Sequence, residues 1–381
     1  MKEITKAKKP VNYYGLLMVL PLLIIVISCQ KHQEHQALKE FRQENLVANN
    51  NEYSAPHIDP TLLNAWGLAW TPNGIAWVNA QAGHVSEVYD NEGNIVRPPV
   101  NIPSPGGPTG GNPTGIVFNS GDAGSFMMGN KQKALFLFVG VDGVLSGWNG
   151  GLGNNAQLIQ NNSATSAYTG LAIGKANGGQ DFLYAADFRA GKIQVWNASF
   201  TSVTMSFLDP NLPGGYSPFN IQNIEGQLYV TYAIVGPDGK DLPGLGHGIV
   251  SVFNTDGSFV RRFVTGGLLN SPWGLTKAPD HFFADTDDSG LENVLENGIH
   301  QSKHQPAILV GNFGDGHINA YSLDGKFMGQ LKNDSKVITI EKLWAVSFAP
   351  STAKTIDSNR LYFTAGPDDE SDGLFGFIIK Q

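Results

Sequence analysis

Beyond about residue 44 the apolar positions fall in short alternating runs separated by Gly, Asn, Asp and Pro, a strand pattern rather than a helical one. Six runs open around a small residue: Asn64-Ala65-Trp66-Gly67-Leu68, Asn112-Pro113-Thr114-Gly115-Ile116, Ala167-Tyr168-Thr169-Gly170-Leu171, Ser217-Pro218-Phe219-Asn220-Ile221, Ser271-Pro272-Trp273-Gly274-Leu275 and Lys342-Leu343-Trp344-Ala345-Val346. Measured from Gly67 through Gly115, Gly170, Asn220 and Gly274 to Ala345, their spacings are 48, 55, 50, 54 and 71 residues. After each opening comes a second β-rich run (Ile75 to Asn79, Phe182 to Asp187, Ile308 to Asn312), a turn, and a third (Val85 to Tyr89, Ile193 to Trp196, Ile318 to Tyr321). Fourth runs such as Phe259 to Val264 complete a four-stranded unit, and units of this period are propeller blades.

The pattern predicts an all-β, six-bladed β-propeller. Nothing but Lys380 and Gln381 follows the third run of the sixth repeat, Leu374 to Ile379, so its outer strand must come from elsewhere. Asn45-Leu46-Val47-Ala48, just ahead of the first repeat, is the expected donor, and closure of this kind removes an exposed edge. The competing arrangement, a seventh repeat inside the 71-residue interval, lacks internal strand signals.

Composition narrows this further. Gly 46, Pro 21 and charged residues at only 15% suit turn-rich β structure and exclude the helical classes. Lys2, Lys6, Lys8 and Lys9 against Glu3 give the first 28 residues +3, so the remainder carries −8 − 3 = −11. An acidic body without a basic stripe argues against a nucleic-acid partner.

The N-terminus reads as an export signal over residues 1–28: lysines, then an apolar run from Leu16 to Ile27, too short and too broken by Pro21 to span a bilayer stably. It ends Val26-Ile27-Ser28-Cys29, which resembles a bacterial lipobox, with Cys29, the single cysteine, as the lipidated residue. Residues 29–43 read as lipidated Cys and polar tether, and residues 44–381 as the propeller with an insert near 279–306. Gln30 after the Cys is compatible with the outer membrane of a diderm bacterium.

Two runs are distinctive: Ile308-Leu309-Val310-Gly311-Asn312-Phe313-Gly314-Asp315-Gly316-His317-Ile318-Asn319-Ala320, and Leu361-Tyr362-Phe363-Thr364-Ala365-Gly366-Pro367-Asp368-Asp369-Glu370-Ser371-Asp372-Gly373-Leu374-Phe375-Gly376. With the openings above they resemble an uncharacterised bacterial family of exported six-bladed propellers over residues 44 to 379. That resemblance implies fold and export, and brings no activity or catalytic residues. The blades are more distantly similar to NHL-type and gluconolactonase-like propellers. The latter resemblance implies a divalent metal at the channel mouth, held partly by a Glu of the first inner strand; Asn64-Ala65-Trp66-Gly67 offers none.

No nucleophile elbow, zinc helix or phosphate loop occurs. Trp66, Phe219, Trp273 and Trp344 precede the small residue in four repeats, and either ring a channel mouth as a ligand platform or pack between blades. Asp187 and Asn312 end second strands, where they would reach the mouth or cap turns. Asp368-Asp369-Glu370 with Asp372 is an acidic loop, a cation site or a solvated turn. Asp285, Asp287, Ser289, Leu291, Asn293 and Glu296 fit positions one, three, five, seven, nine and twelve of a calcium loop, with Gly290 at the sharp turn. Against that candidate Ca2+ site stand Glu292 at the usually apolar eighth position and the alternative of a solvated acidic loop. The expected function is a lipid-anchored binding or scaffolding module of the cell envelope, with an unknown protein or carbohydrate ligand. The alternative is a metal-dependent hydrolase or lactonase acting at the channel mouth.

Overall fold

The computed structural model describes residues 38–283 and 306–381. Among them the regular structure is β except for two single 3-10 turns, Asn51–Tyr53 and Gly150–Leu152. Five four-stranded antiparallel blades follow one another along the chain, and the sixth combines its last three strands with two from the start, the outermost one parallel. Their inner strands are Ala65–Trp70, Pro113–Phe118, Tyr168–Lys175, Tyr216–Ile224, Pro272–Lys277 and Leu343–Phe348.

The ring closes as the pattern predicts. Phe41–Ala48 joins the sixth blade antiparallel to Leu374–Lys380, with Phe41 opposite Lys380, Glu44 opposite Phe377 and Val47 opposite Phe375. A bulge at Leu46 breaks the register between Asn45 and Val47. The closing strand therefore begins ahead of residue 44, inside the stretch read as tether. Leu38 and Phe41 are buried, Phe41 against the rings of Phe282 and Phe283 at 5.1 and 6.4 Å. The polar composition of 30–43 hid them because isolated apolar residues carry no periodicity. After the closing strand a strap returns the chain to the first blade. His57–Ile58 pairs parallel with Val47 and Ala48, and Leu62 is fully buried.

The small residue shared by the openings has a packing cause. Neighbouring inner strands converge at the axis, and a methyl added at Gly67 would meet the Thr114 carbonyl of the next blade. At Gly115 it would meet the Leu171 amide, and at Gly274 the Trp344 carbonyl. Gly170 instead makes room for the Asn220 side chain, whose amide donates to the Trp273 carbonyl at 2.7 Å. Glycine is there for close approach, not for backbone freedom. Cys29, the export segment and Asp285 to Glu296 lie outside the described residues.

Candidate functional site

The aromatic residues of the openings meet at the propeller axis. Trp66 stacks on Trp344 with ring centres 3.4 Å apart, Trp344 stacks on Phe313 at 4.0 Å, and Trp273 meets both Trp66 and Trp344 edge-on. Phe219 packs against Trp344 at 6.0 Å and against Phe188 at 5.3 Å. All six are buried, so they form a plug across the axis. Beneath it Leu68, Ile116, Leu171 and Leu275 line a residual cavity of about 10 Å³, room for one water molecule.

Above the plug lies a polar rim. Asn64 stands immediately before the first inner strand, and its Oδ1 accepts from Trp344 Nε1 at 2.8 Å. Its Nδ2 donates to Glu370 Oε2 and to Gln81 Oε1, each at 3.0 Å. Gln81 donates onward to Asn112 Oδ1 at 3.1 Å, and the Asn112 backbone amide donates to Asp142 Oδ2 at 2.9 Å. This chain joins the sixth, first and second blades. Across the mouth Lys342 sits 4.8 Å over the Phe313 ring and pairs with Asp369 at 3.2 Å.

Burial pushes the carboxyls of Glu370, Asp241 and Asp142 above the usual carboxylate range. At Glu370 the charges of Lys240 and Lys342 and the Asn64 amide oppose the shift, while Asp241 reinforces it. The connection between the second and third strands of the fourth blade thus brings Lys240 and Asp241 to a carboxylate of the sixth. At this end of the axis the donor Trp66 Nε1 is buried without a hydrogen-bond partner, and the Ser271 hydroxyl acts on the buried Asp241 carboxyl.

The rim is also where the backbone is strained. Of the fifteen non-glycine residues with positive φ among the described residues, six surround it: Asn64, Ser271, Lys342, Asp368, Asp369 and Glu370. The last three are consecutive, a left-handed turn closed by Glu370 N donating to the Gly366 carbonyl at 2.9 Å, and it carries the Glu370 carboxyl inward to Asn64. Such conformations cost of order 1 kcal/mol each and persist where surrounding contacts impose them.

The residues singled out from the sequence have these places. Trp66, Phe219, Trp273 and Trp344 form the plug. Asp187 Oδ1 accepts from the amides of Ala167 and Ala190, both at 3.1 Å, a turn-capping role. Asn312 donates to the Leu268 carbonyl at 2.8 Å and to Asp315 Oδ1 at 3.0 Å, clamping its own turn. The acidic loop contributes Glu370 inward, while Asp372 accepts from Asn49 and Tyr53 at 2.7 and 2.6 Å and fastens the N-terminal segment. Gln81, Asp142 and Asp241 were not singled out. Asn64, Asn112, Ser217, Ser271 and Lys342 share a signal that was available: each stands three residues before the small residue of its repeat. Among the described residues no three His, Cys, Asp or Glu side chains converge as a metal centre requires.

An uncharacterized protein of Acanthamoeba polyphaga mimivirus is 32% identical over 348 residues, covering 88% of this chain and 80% of that protein. A second from the same virus is 32% identical over 361 residues, covering 91% and 87%. The chain belongs to their family. These relatives are giant-virus proteins, whereas the signature runs pointed to a bacterial family. No protein-family profile matches the chain. Among solved structures, that of a streptogramin B lyase is similar at TM-score 0.47 and 12% identity, over 90% of this chain and 97% of that one. A gluconolactonase from Xanthomonas campestris is similar at TM-score 0.32 and 15% identity, over 65% and 82%. At those scores the likenesses carry no argument about activity, and the propeller assignment rests on the strand order itself.

Proposed function

We propose that the protein is a binding module whose ligand, a hydroxyl-rich molecule of carbohydrate type, sits on the rim above the aromatic plug. The observation that carries this reading is the linked series of side-chain amides and carboxylates, Glu370–Asn64–Gln81–Asn112, standing over indole rings. Amides and carboxylates together match groups that donate and accept at once, as hydroxyls do. The donor Trp66 Nε1, buried without a partner, asks for an acceptor of the same chemistry.

A test follows from the indoles beneath the rim. Titration of the full-length protein with a panel of neutral oligosaccharides should give a saturable change in tryptophan emission for at least one member. Asn64→Ala and Glu370→Gln should weaken that response about tenfold, the scale of one lost charged hydrogen bond. A panel without a saturable response, or one the two variants leave untouched, would overturn the reading.

The same proposal places the module at the cell envelope, tethered through Cys29. Its support is the Lys-rich start, the apolar run and Val26-Ile27-Ser28-Cys29. Cys29→Ser should abolish incorporation of a fatty-acid probe and release the protein from the membrane fraction. Unchanged labelling in that variant would refute the anchor.

A further inference from the structure

We propose that Asp59, Thr61 and Glu87 form a proton-operated latch on the ring closure, holding the strap onto the first blade while the cluster keeps one shared proton and loosening it when that proton leaves. The cluster lies away from the rim, where the strap crosses the third strand of the first blade, Val85–Tyr89. Thr61 Oγ1 is 2.7 Å from Asp59 Oδ1 and 2.6 Å from Glu87 Oε1. A hydroxyl owns one proton and can donate to only one of two carboxylate oxygens. The second contact is attractive only if a carboxyl is itself protonated and donates to the hydroxyl oxygen.

The other oxygen of Asp59 is already served, since Tyr89 donates its phenolic proton to Asp59 Oδ2 at 2.8 Å. Asp59 Oδ1 also accepts from the Thr61 backbone amide at 3.1 Å. Asp59 is therefore the better-solvated carboxylate, and the extra proton belongs to Glu87, which is only 1% exposed. The titratable groups facing Glu87 are Asp59 from the strap and Tyr89 from its own strand. On the adjoining strand its neighbour is the apolar Val78. His57 on the strap acts on Asp90 instead. Among the described residues no cation offsets the two carboxyls.

Burial, helped by the Asp59 charge, raises Glu87 from an ordinary 4.5 to about 7, and the Thr61 hydroxyl only partly opposes it. The folded state then binds more protons than the unfolded chain between those values. The latch is fully closed below the lower value and is lost as pH rises toward the upper one. What it holds is consequential. The Asp59 amide donates to Ala48 of the closing strand at 2.9 Å, and the strap ends at Asn64, the hub of the rim. Loosening the strap frees both.

Hydrogen exchange of the full-length protein tests the latch directly. After correction for intrinsic exchange, amide protection across residues 59 to 62 should fall roughly tenfold between pH 6 and pH 8. Glu87→Gln should hold that protection level across the same window. Asp59→Asn, which removes the like charge facing Glu87, should move the loss to lower pH. Protection that stays flat in the parent protein, or falls equally in Glu87→Gln, would overturn the proposal. If Glu87→Gln does not fold, the parent's profile and its displacement in Asp59→Asn decide the matter.

Discussion

Asp368, Asp369 and Glu370 follow one another through left-handed φ values of 51°, 51° and 71°, without a glycine among them. Each Cβ is crowded against its own carbonyl in that region, at a cost of about 1–2 kcal/mol per residue. The turn tolerates this because its ends are fixed, by Glu370 bonded to Asn64 and by Asp372 bonded to Asn49 and Tyr53. Asp369 is the member that gives least in return: its side chain is 92% exposed and pairs only with Lys342, and exposed pairs contribute little. Asp369→Gly should therefore stabilise the fold by about 0.5–1 kcal/mol after the added freedom of the unfolded chain is subtracted. Denaturant unfolding reads the change, and a destabilised Gly variant would mean that the turn is not strained. The sequence marked this loop as acidic but not as left-handed, because nothing in Asp-Asp-Glu demands positive φ. Likewise Asp241 was invisible: it is brought to Glu370 by a fourth-blade connection more than a hundred positions away in the chain, and no local pattern encodes that meeting.

At the scale of the element, the strands were legible nearly to their ends. Val85–Tyr89 falls where alternation places it, and Ile318–Ser322 and Leu374–Lys380 each differ by one residue. Inner and middle strands are buried on both sides, so hydrophobic runs betray them. Outer strands are less visible, since Val100–Asn101 and Ser202–Val203 have two residues each and face solvent along one edge. Two small hairpins, Pro103–Ser104 with Gly107–Gly110 and Lys332–Asn333 with Lys336–Val337, were not anticipated, being too short and polar to show a period. The strap was missed for another reason. Asp59-Pro60-Thr61 reads as a turn, yet Asp59 and Thr61 are spent on contacts with the Tyr89 and Glu87 side chains of a neighbouring strand. Turn residues can be chosen for tertiary hydrogen bonds as well as for local geometry.

For the whole molecule, closure through Phe41–Ala48 means that the two ends of the propeller are one sheet. The first and sixth blades are also tied by Trp66 stacked on Trp344, by Thr364 donating to the Trp66 carbonyl, and by Tyr89 stacked on Phe375 at 5.8 Å. Removing the closing strand takes away the ladder from Phe41–Lys380 to Ala48–Leu374 and the buried side chains of Phe41, Leu46 and Val47. Loss of one buried Phe alone costs about 3–5 kcal/mol, so the total should exceed 5 kcal/mol. It also bares Leu374–Lys380 as an edge strand rich in Phe and Ile, a template for pairing with another chain. A chain beginning at Asn49 should therefore melt far below one beginning at Leu38 and should self-associate. Adding a peptide of residues 38 to 48 in trans should restore both the melting temperature and the monomer, because the sixth blade supplies the docking register. Equal melting of the two chains, or a peptide that binds without stabilising, would show that the ring holds without its clasp. The peptide arm separates the clasp from mere shortening: truncation harms many proteins, but rescue by the missing strand requires that its empty place persist in the rest of the ring.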